Sequence, residues 1–293
     1  MEVLSNKILA ALAASLLLLC SCAQEFEVQV DDPQPRICVR GMICPGQNGM
    51  FTLQRAVPVG TPKKQNVEFT IRNLSLSCDS EALSLEAEPA PSTVIWADTS
   101  PVGVGSHLVI EADFEGLPSI KAETTIPKGL GFAVDSLHTE DGYILYKLEF
   151  DSSLKEDSHF AVAVCKKQGE FSEGFPSLMS VSKEGGLLNE LTPVFRVVSL
   201  PYLGSMDVAT GWLFTGMDLG KDKTLEFMVM YDSAWEYTLL VYTLSEEAYG
   251  YLNAKYNADN NFLSMLGLAP ANFAYSNVSG GYGVLGAYYL EEW

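Results

Sequence analysis

Residues 108–125 read LVIEADFEGLPSIKAETT, and this stretch decides the fold class. Two strand-like segments, Leu108–Asp113 and Ile120–Thr125, flank the dipeptide Glu115-Gly116, which is a signal for a β-hairpin. Further strand patterns precede the hairpin, and no helical period of useful length accompanies them. The sequence therefore predicts an Ig-like antiparallel β-sandwich over residues 36–128.

The second half of the chain adds more strands and one helix. Ser245 is a good N-cap, and Glu246 and Glu247 suit the positive end of a helix dipole, so a helix is predicted over residues 245–257. The strand patterns of this half lie at Tyr143–Asp151, Phe160–Lys166, Thr224–Tyr231 and Glu236–Thr243. We predict an all-β protein of two β-sandwich-like domains, the second (residues 129–293) with a short helical insertion near the C-terminus.

The first 22 residues carry the signals of an exported lipoprotein. Ile8–Leu19 is apolar or small apart from Ser15, and it is shorter than the roughly 20 residues of a spanning helix. It has the length of a signal-peptide core and ends in Leu19-Cys20-Ser21-Cys22. We predict a lipoprotein signal peptide at residues 1–21, with palmitate and other acyl chains on Cys22 as a membrane anchor. A plain cleaved signal peptide with chance cysteines is the alternative.

An acidic segment follows the predicted lipidated cysteine. Residues 22–35 contain four carboxylates and no base, lack core-building periodicity and include two prolines. These features predict a solvated tether, and a flexible chain of that length reaches roughly 20 Å.

The net charge and the cysteine content restrict the possible ligands and disulfides further. The net charge of −19 argues against a nucleic-acid ligand and fits solubility at a cell surface. Cys38 and Cys44 share a predicted strand and lie about 20 Å apart on it, so a bridge between them would require a sharp bend. Pairing through Cys78 and free buried thiols both remain open, and Cys165 is the fourth cysteine of the predicted body.

Gly281, Gly283 and Gly286 form a literal G-x-G-x-x-G. A dinucleotide site needs this turn between a strand and a helix whose N-terminus meets the pyrophosphate. Only seven residues follow Gly286, which is too few for that helix. We interpret the glycines as part of a closely packed strand that admits a neighbouring backbone or ring, and we predict no cofactor.

Catalytic and metal-binding patterns are weak. His107, His138 and His159 lie on separate segments, and the mature chain has no H-E-x-x-H or C-x-x-C motif. His159 could form a site with Asp157 or Asp151, but a surface-loop histidine is favoured. There is no G-x-S-x-G nucleophile motif either, so we predict no enzymatic activity.

The C-terminal third resembles a known group of proteins. Residues 276–288 read SNVSGGYGVLGAY and follow the strand Tyr237–Ser245 and the tyrosine-rich segment Tyr249–Leu252. This series is similar to a family of uncharacterised outer-membrane lipoproteins from Bacteroidota, which end in S-N-x-x-G-G-x-G-x-x-G-A-Y. Looser similarity extends to residues 38–43, 53–55 and 122–127. The resemblance implies an outer-membrane location and association with TonB-dependent uptake systems, and it carries no assigned activity.

The resemblance also brings two expectations about processing. Asp135-Ser136-Leu137 and Asp232-Ser233-Ala234 fit the short O-glycosylation pattern of Bacteroidota, so Ser136 and Ser233 are candidate acceptors. The acidic tether weakly resembles the export tags of surface lipoproteins in these bacteria, which implies a cell-surface orientation. A plain solvated linker would have the same composition.

Together these features predict a surface-exposed outer-membrane lipoprotein. Its predicted role is non-enzymatic, as a binding or accessory component of a TonB-dependent uptake system, with the membrane and a TonB-dependent barrel as partners. The alternative is a structural fimbrial-type subunit or adhesin, which would need a donor strand or cleavage at Arg36. Exposed aromatic residues such as Trp96 or Trp212 could form a ligand platform.

Overall fold

The hairpin predicted at residues 108–125 is present in the structure, which is a computed structural model. The structure describes residues 35–46, 49–56, 68–88, 93–167, 196–202, 205–230, 236–261 and 275–293. Leu108, Ile110 and Ala112 are buried while Glu111 is exposed, because successive side chains on a strand point to opposite faces. Gly116 turns the chain with φ +70°, a conformation that favours glycine. The predicted all-β fold class is confirmed.

The described strands form three sheets. The strands are β1 (Ile37–Ile43), β2 (Gly49–Arg55), β3 (Ile71–Cys78), β4 (Glu81–Ala82), β5 (Leu85–Glu88), β6 (Thr93–Ala97), β7 (His107–Phe114), β8 (Ile120–Thr125), β9 (Phe132–His138), β10 (Tyr143–Phe150), β11 (His159–Lys167), β12 (Arg196–Tyr202), β13 (Ser205–Thr215), β14 (Thr224–Met230), β15 (Glu236–Leu244) and β16 (Tyr282–Glu292). One sheet has the order β12-β13-β11-β15-β16-β1-β2-β6-β5, a second β14-β10-β9, and a third β4-β3-β7-β8.

Each smaller sheet packs on the large sheet and encloses a core. The first core joins β1, β2 and β16 to β7 and β8, and Phe51, Leu53 and Ile110 are fully buried in it. The second core joins β11, β13 and β15 to β10 and β14, and it is built around stacked aromatic rings such as Phe160 and Phe214, whose centroids lie 5.3 Å apart. Two sandwiches thus share one sheet.

The C-terminal strand β16 joins the two halves. It pairs in parallel with β1, with Val39 opposite Gly283, and antiparallel with β15, with Tyr242 opposite Leu290. Residues Pro35–Trp293 cluster into one compact unit. The domain boundary at residue 128 therefore stays a prediction: most of each core lies on its own side of that residue, while the large sheet crosses it.

One helix, α1 (Glu246–Asp259), covers the other face of the large sheet. It begins where the sequence predicts, because the Ser245 hydroxyl accepts hydrogen bonds from Ala248 N and from Ala287 N of β16, each at 3.2 Å. It ends two residues beyond the predicted residue 257. A short 3-10 helix, Gly216–Leu219, follows β13.

Candidate functional site

Helix α1 lies close against the sheet because β16 presents a glycine to it. A Cβ on Gly286 would lie 3.0 Å from the Cα of Ala248, at the edge of what packing tolerates. Ala248, Tyr251 and Leu252 are the buried residues of the helix. They pack against β15 and β16, so the helix forms a raised wall along the sheet.

A cleft of about 380 Å³ opens beside this wall. We call it the tyrosine cleft. Tyr251 is 9% exposed, whereas Tyr282 is 47% exposed, so the aromatic lining runs from a buried floor to an open rim. Its lining residues are Cys38, Val39, Arg40, Tyr251, Tyr275, Ser276, Tyr282 and Gly283.

The ring of Tyr275 packs closely against the helix backbone at Gly250. A Cβ on Gly250 would lie 2.4 Å from the Cε2 atom of the Tyr275 ring. Burial raises the pKa of Tyr275 to about 12, and the charges of Glu247 and Glu246 add to the effect. The phenol therefore stays protonated at neutral pH and can donate a hydrogen bond.

The floor and rim of the tyrosine cleft also carry polar groups. Arg40 and Cys38 are half-buried on β1, and burial raises the pKa of the Cys38 thiol, which keeps it neutral. At the rim, the Arg36 guanidinium carbon lies 5.4 Å from the ring centroid of Tyr282, within cation–π range. Aromatic faces beside hydrogen-bond donors suit a small organic ligand that has both apolar and polar surface.

Across the helix, a polar cluster ties α1 to the sheet edge. Arg196 donates to the Tyr249 hydroxyl at 2.8 Å and forms an ion pair with Asp218 at 2.6 Å. The ring of His159 stacks on the ring of Tyr249 at 4.1 Å. Burial lowers the pKa of His159, so the imidazole is neutral at pH 7.

A second cleft, of about 440 Å³, lies near His159. We call it the junction cleft because it is formed where the segment that leaves the first core meets the loop before β11 and the end of β15. Its lining residues are Pro127, Lys128, Gly129, Leu130, Ser153, Lys155, Asp157, Ser158, His159, Thr243 and Leu244.

The comparison with protein families gives a match over residues 23–291 to a domain of unknown function, DUF4249. The chain belongs to this family. No curated protein matches it. Within the described parts of this DUF4249 chain, no helix is long and apolar enough to cross a membrane.

The predicted modification sites of the DUF4249 chain fall partly on described residues. Cys22 and Ser233 lie outside them. Ser136 is exposed on β9, opposite Tyr146 of β10, at the edge of a sheet. All three sites stay predictions.

The glycine motif lies where the packing interpretation placed it. A Cβ on Gly281 would lie 2.5 Å from Ile37 O, and one on Gly283 would lie 1.9 Å from Val39 O. Gly283 and Gly286 belong to a strand that pairs with β1 at these residues and with β15 further along, not to a turn before a helix. The interpretation as a closely packed strand is confirmed.

Other candidates are spread over the molecule. His107 lies 3.8 Å from Glu123, while His138 and His159 belong to different sheets. The described residues contain no group of three or more His, Cys, Asp or Glu side chains suited to a metal ion. Trp212 is only 4% exposed and packs edge-on to Phe227, so its suggested role in an exposed platform is wrong. Among the described residues, the cysteines Cys38, Cys44, Cys78 and Cys165 form no disulfide.

Sequence reasoning missed the tyrosine cleft. Its residues come from three segments that are far apart in the chain, and only the pairing of β1 with β16 brings them together. One local signal was available: Gly250 interrupts a helix at a position where glycine is unfavourable, which indicates a close neighbour.

Proposed function

We propose that this DUF4249 chain is an outer-membrane lipoprotein, anchored by acyl chains on Cys22 and facing the cell surface. Its role is to bind a ligand in the tyrosine cleft as a non-enzymatic component of a TonB-dependent uptake system. The observation that carries the binding role is the cleft itself, with three tyrosines beside Arg40 in about 380 Å³. That volume lies within the roughly 300–1,000 Å³ typical of small-molecule sites.

The anchor is supported by the position of the family match. The match begins at residue 23, one residue after Cys22, so the predicted signal peptide lies outside it. The assignment to Bacteroidota, and with it the TonB-dependent partner, rests on the resemblance of residues 276–288 to lipoproteins of that group.

The location of the cleft suits a partner held near the anchor. Arg36 directly follows the predicted tether and lies over Tyr282 at the rim of the cleft. The rim is therefore near the point where the tether joins the folded body. A ligand released there would need only a short transfer to a neighbouring barrel. Donor-strand exchange of the fimbrial kind is less favoured, because the terminal strand β16 already pairs with β1 and β15.

Photo-cross-linking in intact cells tests the partner. A photoreactive phenylalanine at position 282 should capture a TonB-dependent barrel. The same group at Leu137, which is 62% exposed on the distant strand β9, should capture much less. Equal capture from both positions, or none from either, would contradict the proposed geometry.

Native mass spectrometry tests the cleft. Full-length protein extracted from its own membranes should carry an additional bound mass. The double variant Tyr275→Ala with Tyr282→Ala should lose that mass, while Tyr143→Ala, outside the cleft, should keep it. A bound mass that survives the double variant would mean that the ligand lies elsewhere.

A further inference from the structure

We propose that the junction cleft binds an oxyanion, a phosphate or carboxylate group carried by a small soluble molecule. The cleft is formed by the segment Pro127–Leu130, the loop before β11 and the end of β15, and its volume is about 440 Å³. Clefts where two packed bodies meet are frequent ligand sites.

The charges that line the junction cleft differ from those of the chain as a whole. The protein carries a net charge of −19, yet the lining of this cleft holds two lysines, Lys128 and Lys155, and a single carboxylate, Asp157. His159 adds a neutral imidazole, and the carboxylates of Asp151 and Glu246 act on Lys128 and His159 from beside the lining. An oxyanion would gain charge-assisted hydrogen bonds from the two lysines, which outnumber the one carboxylate of the lining.

The two lysines are available to a ligand. Lys121 and Lys147 form ion pairs with Glu111 and Glu149 on neighbouring strand positions. By contrast, Lys128 and Lys155 form no ion pair with any residue that the structure describes, although the charge of Lys128 acts on Asp151. Both are exposed, so a bound oxyanion could recruit them without breaking an existing salt bridge.

Two other lining residues of the junction cleft, His159 and Ser158, are held by contacts within the protein. The imidazole of His159 is held by stacking on Tyr249, whose hydroxyl Arg196 binds in turn. The Ser158 oxygen accepts a hydrogen bond from Lys155 N at 2.9 Å, which leaves its hydroxyl hydrogen to donate. A neutral imidazole and a hydroxyl add directional hydrogen bonds to the charge of the lysines.

A titration of the full-length protein with inorganic phosphate, followed by ³¹P NMR, tests the proposal. We expect saturable binding with a dissociation constant on the order of 1 mM, weakened by added salt. The double variant Lys128→Ala with Lys155→Ala should bind roughly ten-fold more weakly. Lys221→Ala, an exposed lysine outside the cleft, should bind like the wild type.

The variant Asp157→Asn should change the phosphate affinity in the opposite direction. Removal of the one lining carboxylate should tighten phosphate binding several-fold, an effect that a merely structural role would not produce. Absence of saturable binding, or equal binding by the double-lysine variant, would overturn the proposal. Binding to phosphatidylglycerol vesicles through the same lysines, without binding of free phosphate, would also overturn it in favour of a membrane surface.

Discussion

Gly283 shows how one residue can decide whether two strands meet. Its φ is +102°, and a Cβ at this position would lie 1.9 Å from Val39 O. Any side chain is therefore both strained and in collision with the backbone of β1. We predict that Gly283→Val lowers the free energy of unfolding by about 3 kcal/mol or more, measured by urea denaturation.

Gly103→Ala is the matched control for this change. Gly103 has no positive φ, and its nearest neighbour would lie 4.0 Å from an added Cβ, so we expect no comparable loss. Saturable NAD or ATP binding that Gly283→Val abolishes at unchanged stability would contradict the packing role.

His159 links stability to pH. Burial lowers its pKa, as does the charge of Arg196, while Glu246 and Asp157 oppose the shift. The unfolded chain therefore takes up a proton first, so the free energy of unfolding falls as pH decreases through about 6.5 and levels off below the folded pKa. We predict that His159→Gln removes this contribution.

The measurement compares the wild type with His159→Gln. The many carboxylates titrate in both proteins, so their effect on stability cancels in the difference. The melting temperature of wild type minus that of His159→Gln should be larger at pH 7.5 than at pH 5. Equal differences at both pH values for His159→Gln would refute the assignment.

At the scale of elements, the sequence predicted segments with one-sided burial, segments with clear signals at their ends, and the apolar runs of β11 and β15, which are buried on both faces. The hairpin β7–β8 alternates buried and exposed residues, and α1 has a serine cap that the structure retains. Strands β12 and β13 were not predicted. In β13, Trp212, Leu213 and Phe214 are all buried, because one face meets the aromatic core and the other meets the α1 layer. A strand that is buried on both faces shows no alternation of apolar and polar residues from which it could be predicted.

Helix α1 offers a test of how the tyrosine cleft is built. Gly250→Ala should add about 0.5–1 kcal/mol of stability on helix propensity alone. Since the new Cβ would lie 2.4 Å from the Tyr275 ring, we predict no gain, or a loss, in the wild-type background. In a Tyr275→Ala background the same substitution should be stabilising.

This change of sign is a coupling free energy between Gly250 and Tyr275. Urea denaturation of the wild type, the two single variants and the double variant measures it. Displacement of Tyr275 should also speed labelling of Cys38, which shares the cleft, by a maleimide. Stabilisation by Gly250→Ala in both backgrounds would mean that Tyr275 does not pack on the helix.

At the scale of the molecule, one sheet serves two sandwich cores and the helix layer. Sequence patterns can detect the two cores on either side of residue 128, because each core is made mostly of strands that are close together in the sequence. The parallel pairing of β1 with β16 joins residues about 240 positions apart, such as Val39 and Gly283. Neither the entropic cost of closing so long a loop nor the choice of pairing partner over such a separation can be recognised from a local stretch of sequence.

The attachment of the whole molecule to its membrane is the last prediction. The apolar run Ile8–Leu19 and the junction before Cys22 indicate lipidation, and more than one acyl chain is needed for a stable anchor. We therefore expect Cys22→Ala to move the protein from the membrane fraction to the soluble fraction. The intact mass of the wild type should include the acyl groups, and a mass without them would refute the anchor.

The predicted orientation rests on the resemblance of the acidic tether to export tags, and it is tested separately. If the protein faces outward, protease added to intact cells should remove it, while a periplasmic marker in the same cells survives. If Cys22 carries the predicted anchor, the effective concentration of the folded body near other membrane proteins would be raised, so even a weak interface with a barrel would suffice. Full protection in intact cells, together with digestion after the outer membrane is opened, would instead place ligand binding in the periplasm.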